Sequence, residues 1–178
     1  IPFARIGSRE PGPGICRTMD DERSAALATD KLIELGHRRV GFIAGSSEYS
    51  LSGWRVAGWK AAMANAGLQT DDLCDQGDFG YESGEAAARK LLSLPNRPSA
   101  IIASSDQMAL ATLEVAREMN LSVPEDLSVI SFDNTPIVRF TNPPLTAVDQ
   151  PIAQTISRAV ELLINAAKVP LPNKPINI

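Results

Sequence analysis

Histidine occurs once in these 178 residues and cysteine twice, and that scarcity removes several chemistries at once. Cys16 and Cys74 stand far apart without the spacing of metal ligands, and His37 has no second imidazole to join it, so no metal site is expected. The same two cysteines read as free thiols of a reducing compartment rather than as a disulfide framework. His37 follows Gly36 at a helix end, where a capping or surface role fits better than catalysis. Positive charge is not in excess either: 17 basic residues face 21 acidic ones, for a net charge of −4. That balance argues against these residues gripping nucleic acid, which needs a basic face. The densest basic run, His37-Arg38-Arg39, is short and reads as a solvated helix-to-strand turn. No apolar run reaches the roughly 20 residues that span a bilayer. No signal peptide opens the chain, whose first residues, IPFARIG, resemble the middle of a domain and carry no initiating methionine. The chain is therefore expected to be a fragment.

What is present is an ordinary globular composition, 44% hydrophobic, with strand and helix patterns in alternation. Short apolar runs at 3–6, 40–45, 99–104, 127–132 and 145–148 read as strands, with a weaker one near 73–77. Helical spacing appears at 21–35, 51–66, 82–94, 106–119 and 151–167. Gly36 and Gly67 supply the first two stops, and Pro95 and Pro98 break the chain after the third helix. The inward faces are expected to hold Ala25, Leu27, Ala28, Leu32 and Leu35; Val56, Trp59, Ala62 and Met63; and Ala86, Ala87, Leu91 and Leu94. For the fourth helix they are Met108, Ala109, Leu113, Ala116 and Met119. The Pro-rich tail, 169–178, is expected to be irregular. Strands apolar on both faces, alternating with helices of this length, predict an α/β fold: a parallel sheet flanked by helices.

In such sheets the loops after the strand carboxyl ends converge on one edge, where ligands bind. The stretch SVISFDN (128–134) places Asp133 there. A binding carboxylate and an Asx-turn are both open to it. The same edge receives Ser46, Ser47, Arg55, Phe79, Ser105 and Asp106. Asp106 starts a helix and reads as its N-cap. No GxGxxG, GxxxxGK[ST] or GxSxG motif is present, and His37 is not placed as a general base. Hydroxyls, a guanidinium, carboxylates and one aromatic suit a polyhydroxylated ligand better than a reaction. Charged groups pair with vicinal hydroxyls, and an aromatic face packs on the C–H face of a sugar ring.

The segments LATDKLIELGHRRVGFIAG, WRVAGWKAAMANAGL, SAIIASSDQMALATLEVAREMNLSVPEDLSVISFDN and NPPLTAVDQP, in this order, resemble the effector-binding core of the lactose/galactose-repressor (LacI/GalR) family of bacterial transcription regulators. The likeness runs from about residue 2 to 178. It implies a type I periplasmic-binding-protein-like fold, mainly its C-terminal lobe. Residues 20–148 would form that lobe. Residues 1–19 would be a remnant of the N-terminal lobe, 149–178 a crossover returning to it, and the DNA-binding helix-turn-helix would lie outside this chain. Family effector contacts fall on Arg55, Phe79, Asp133 and Gln150, the last supplied by the resemblance alone. Relatives often carry Asn at Ser105 and Asp near Gly7, so the expected effector widens from a sugar to a nucleoside-like compound.

The resemblance implies a cytoplasmic, non-enzymatic sensor without a cofactor, bound to operator DNA only through the missing helix-turn-helix. A homodimer is expected through an outer stripe of Leu110 with Val115 and a loop, 136–144, carrying Ile137, Val138 and Phe140. Two other readings stay open at this point: a solute-binding protein of a sugar transporter, and a sugar-modifying enzyme using Asp106 and Asp133.

Overall fold

The computed structural model describes residues 3–6, 14–17 and 19–166. Gly7, the Cys16 thiol and the tail 169–178 lie outside what it describes. The chain divides into two compact units, one of Ile1–Asp20 with Gln150–Ile178 and one of Asp21–Asp149.

In the first unit, β1 (Ala4–Ile6) pairs in parallel with β2 (Ile15–Arg17). Helix α5 (Ile152–Ala166) packs on both strands. β2 was not anticipated from the sequence.

The second unit carries α1 (Asp21–Glu34), β3 (Val40–Ala44), α2 (Ser50–Asn65), β4 (Cys74–Gln76) and α3 (Tyr81–Leu92). It continues with β5 (Ala100–Ala103), α4 (Asp106–Glu118), β6 (Ser128–Asp133), one turn of 3-10 helix at Pro136–Arg139, and β7 (Thr146–Asp149). The five strands form one sheet in the order β4-β3-β5-β6-β7. All four pairings are parallel, as the apolar runs predict. β3 and β5 are buried at every position, as strands covered on both faces must be.

Helices α1 and α2 pack as a pair, and so do α3 and α4. Each pair crosses where a glycine removes the side chain. A Cβ on Gly58 would lie 1.9 Å from the Glu22 carbonyl oxygen, and one on Gly84 2.5 Å from the Met108 Cα. On one sheet face Ile43, Ile101, Ala103 and Val129 meet Ala87, Leu91, Met108 and Val115. On the other, Phe42 lies against Trp59 with ring centroids 5.6 Å apart. The Trp59 indole N–H donates to the Val40 carbonyl at 3.0 Å.

Several expectations are corrected. Leu27 and Leu35 are 58% and 65% exposed. Ala25, Ala28 and Leu32 supply the buried face of α1, and Leu27 lies two residues, or 200°, from Ala25. Ala86 is exposed, and Val56 is only half-buried. Val115 is 0% exposed and belongs to the core. It follows Met108 by seven residues and shares its face, whereas the five residues from Leu110 put those two about 140° apart. Val138 is also buried, because the 3-10 turn folds it inward while Ile137 and Phe140 stay out.

The His37 backbone closes α1 with a bond to the Leu32 carbonyl at 3.0 Å, but its side chain is not a plain surface group. Its half-buried ring joins the Ser99 hydroxyl, 2.8 Å from Nδ1, to the Ser128 hydroxyl, 3.0 Å from Nε2. It thereby ties the starts of β5 and β6 at the edge opposite the strand carboxyl ends.

Candidate functional site

The strand order places the topological switch between β3 and β5: from β3 the chain moves outward to β4, then returns past β3 to β5. In open parallel sheets the crevice outside those carboxyl ends is where ligands bind. On this edge of the second unit lies a cavity of about 500 Å³, lined by Phe79, Ser105, Asp106, Gln107, Leu110, Asp133, Thr135 and Ile137. Four residues singled out from sequence, Phe79, Ser105, Asp106 and Asp133, thus share one wall system. Gln107 and Thr135 were missed, being polar residues without a motif.

Phe79 sits between β4 and α3 with φ of 75°, in the left-handed region that a bulky residue seldom adopts. Three contacts hold it there. The Ser105 hydroxyl donates to its carbonyl at 2.8 Å. Its ring presses on Gly45, where an added Cβ would lie 2.0 Å from the ring. The Tyr49 ring meets it edge-on, with centroids 5.9 Å apart. Tyr49 is 56% exposed and was not singled out from sequence.

Asp133 ends β6 with φ of 101°, and Asn134 follows at 58°. The Asn134 amide donates to Asp149 Oδ1 at 2.8 Å, which fastens the turn to the end of β7.

Ser105, not Asp106, is the N-cap of α4: its hydroxyl accepts from the Met108 N–H at 3.2 Å. The cap falls one residue earlier than expected because Ser105 has the extended backbone a cap requires, with φ of −153°. Asp106 is instead buried in the first turn. Its Oδ1 accepts from the Ser131 hydroxyl at 2.7 Å. Its Oδ2 accepts from both the N–H and the hydroxyl of Thr135, each at 2.7 Å. A carboxylate tied by three donors is suited to holding structure more than to exchanging protons.

Arg55 does not line this cavity. It is 2% exposed, and its Nε donates to Asp21 Oδ1 at 2.8 Å. Its Nη1 donates to the Ser104 carbonyl at 2.8 Å, and the guanidinium carbon lies 4.3 Å from the centre of the Phe132 ring. Asp21, the first residue of α1, was missed, since an acid in a first helical turn reads as ordinary capping. Gln150 lies in the first unit. Ser46 accepts from the Glu48 N–H at 3.3 Å within its own loop, and Ser47 is exposed.

A second concavity, of about 710 Å³, lies beside α4 and the loop after β6. Its walls include Tyr81, Leu110, Leu113, Leu121, Ile137 and Phe140. Phe140 is 82% exposed there and Ile137 46%. Among the described residues no group of three or more His, Cys, Asp or Glu could hold a metal ion, and no helix is long and apolar enough to cross a membrane.

Comparison with known proteins adds the relatives. Residues 29–177 match the model of the periplasmic binding protein-like domain. The transcriptional repressor CytR of Escherichia coli (strain K12) is 40% identical over 148 residues, which cover 83% of this chain and 43% of the repressor. Catabolite control protein A of Priestia megaterium is 35% identical over 162 residues, covering 90% of this chain and 48% of that protein. The chain therefore spans less than half the length of these curated relatives. Among solved structures, the transcriptional regulator CelR in complex with cellobiose superposes with a TM-score of 0.89 at 33% identity, covering 100% of this chain and 55% of that one. A LacI-family regulatory protein from Chloroflexus aggregans gives a TM-score of 0.92 at 32% identity, covering 99% of this chain and 65% of that one.

Proposed function

Because the chain belongs to the periplasmic binding protein-like domain family, with relatives that are LacI-type repressors, we propose that it is the effector-sensing core of a LacI/GalR-type transcription regulator. The second unit is then the C-terminal effector lobe, and the first unit is part of the N-terminal lobe. Operator DNA is bound through a helix-turn-helix outside this sequence, and the protein works in the cytoplasm, where operators are. By linkage, an effector that weakens DNA binding is itself bound less well by the DNA-bound form.

The effector is a small polyhydroxylated compound, a sugar or nucleoside. The observation that carries this reading is the cavity at the switch-point edge, where an aromatic ring and a carboxylate are each held at positive φ. Strained non-glycine backbone costs about 1–3 kcal/mol per residue and clusters at ligand clamps. Phe79 offers a flat apolar face, and Asp133 an acceptor for paired hydroxyls. The cellobiose held by CelR supports a carbohydrate over other polar ligands. Two copies associate through the groove that Leu110, Ile137 and Phe140 line, which gives the two-fold arrangement that paired operator half-sites require.

A thermal-shift screen of mono- and disaccharides, cellobiose included, and of nucleosides on the full-length regulator tests the reading. A specific ligand at a hundredfold excess over Kd stabilises by about 2.7 kcal/mol. The reading is lost if no compound of either class shifts the transition, or if the shift survives unchanged in Asp133→Ala.

A further inference from the structure

We infer that Asp106 is a positioning residue whose buried carboxylate clasps the chain on both sides of Asp133 and keeps that side chain at the cavity wall. The meaning of the clasp for binding rests on the reading above, in which Asp133 meets the ligand.

Ser131 and Thr135 stand two residues before and two residues after Asp133, and Asp106 holds both. One carboxylate oxygen takes the Ser131 hydroxyl at 2.7 Å. The other takes the Thr135 N–H and hydroxyl, each at 2.7 Å. Between these anchors the backbone passes through two successive left-handed residues, Asp133 and Asn134, with φ of 101° and 58°. Neither is glycine, so the conformation persists only where the surroundings over-determine it.

Asp106 is 3% exposed, and among the described residues no ion pair joins it to a cation. Its charge is met by hydrogen bonds and by the N-terminal turn of α4, whose dipole favours an anion. A carboxylate serving only as core filler would be a poor choice, since an apolar side chain avoids the desolvation cost. The preceding residue does the matching task for the other strained loop: the Ser105 hydroxyl holds the Phe79 carbonyl at 2.8 Å. Two adjacent side chains at the start of α4 thus fix both ligand-facing loops.

The test needs no effector. In the 15N-labelled 178-residue chain, Asp106→Ala should speed exchange of the Thr135 amide at least tenfold. It should also move the HN–Hα coupling of Asp133, while the amides of β3 and β5 keep their protection. Asp106→Asn should restore most of both signals. Its amide oxygen still accepts from Thr135, and the Ser131 hydroxyl turns to accept from its NH2. Thr135→Val, which removes only the hydroxyl bond at an exposed position, should move the same signals in the same direction. The inference is overturned if Asp106→Ala leaves Thr135 exchange and the Asp133 coupling unchanged. It is equally overturned if protection falls alike across the whole sheet, or if Asn restores nothing. The reading of the site fails separately: Asp133→Ala would then keep the thermal shift while the clasp signals behave as stated.

Discussion

Asp133 holds a φ of 101° that a non-glycine residue seldom adopts, and two substitutions separate that strain from the binding proposed for its carboxylate. Asp133→Ala removes a charged acceptor, so effector affinity should fall by about 1.5–3 kcal/mol in calorimetry of the full-length protein. Asp133→Gly should lose the same affinity yet raise the urea midpoint, since glycine adopts φ of 101° without strain. A glycine variant no more stable than the alanine variant would show that the turn is not strained. His37 gives a second residue-scale expectation. Burial holds its pKa below the ordinary imidazole value of 6.5. The folded chain therefore binds fewer protons here than the unfolded one, and this contribution to stability is present above 6.5 and lost as the pH falls below it. Urea midpoints of the wild type should drop between pH 7 and 5 by more than those of His37→Gln. Parallel profiles would count against it. Position along the sequence was enough to put Phe79 and Asp133 at the edge, because in a parallel sheet the residues that close each strand's carboxyl end, or follow it, are all carried to the same side. The task of Asp106 was not legible, since its partners lie 25 and 29 residues away and no spacing rule links them.

Helices were read well wherever glycine closed them, as at Gly36 and Gly67. Each ends with a bond back across the final turn, His37 N–H to the Leu32 carbonyl and Leu68 N–H to the Met63 carbonyl, at 3.0 and 2.9 Å. Which way each helix faced was read less well. Leu27 and Leu35 look like core by residue type, yet α1 turns alanines toward its neighbour so that the backbones can approach. The same economy makes Gly58 and Gly84 contact residues, although inside a helix a glycine reads only as a weak spot. Gly58→Ala and Gly84→Ala should each destabilise by about 1–3 kcal/mol in urea denaturation, because a Cβ there meets backbone. Gly53→Ala, in the same helix as Gly58 with nothing within 4 Å of its Cβ, should instead stabilise by about 0.5–1 kcal/mol. Equal effects at Gly53 and Gly58 would contradict the close crossing.

For the molecule as a whole, the alternation of patterns announced a parallel sheet, but the strand order could not be read from it, because no local signal tells β4 which side of β3 to take. The exposed Phe140 ring carries the expectation at this scale: the chain should sediment as a dimer, and Phe140→Asp should shift it toward the monomer without lowering its unfolding midpoint. A dimer indifferent to Phe140→Asp would place the interface elsewhere. The strand order also governs how the sheet can come into being. Its central neighbours, β3 and β5, are separated by two helices and the excursion to β4. No hairpin exists to nucleate this sheet, so every pairing waits on a long loop closure, and folding belongs to the slower range set by distant contacts. During synthesis β3 leaves the ribosome with one edge bare until Ala100–Ala103 follows. Over that interval the apolar run Val40–Ala44, later buried at every position, is open to any other extended chain nearby.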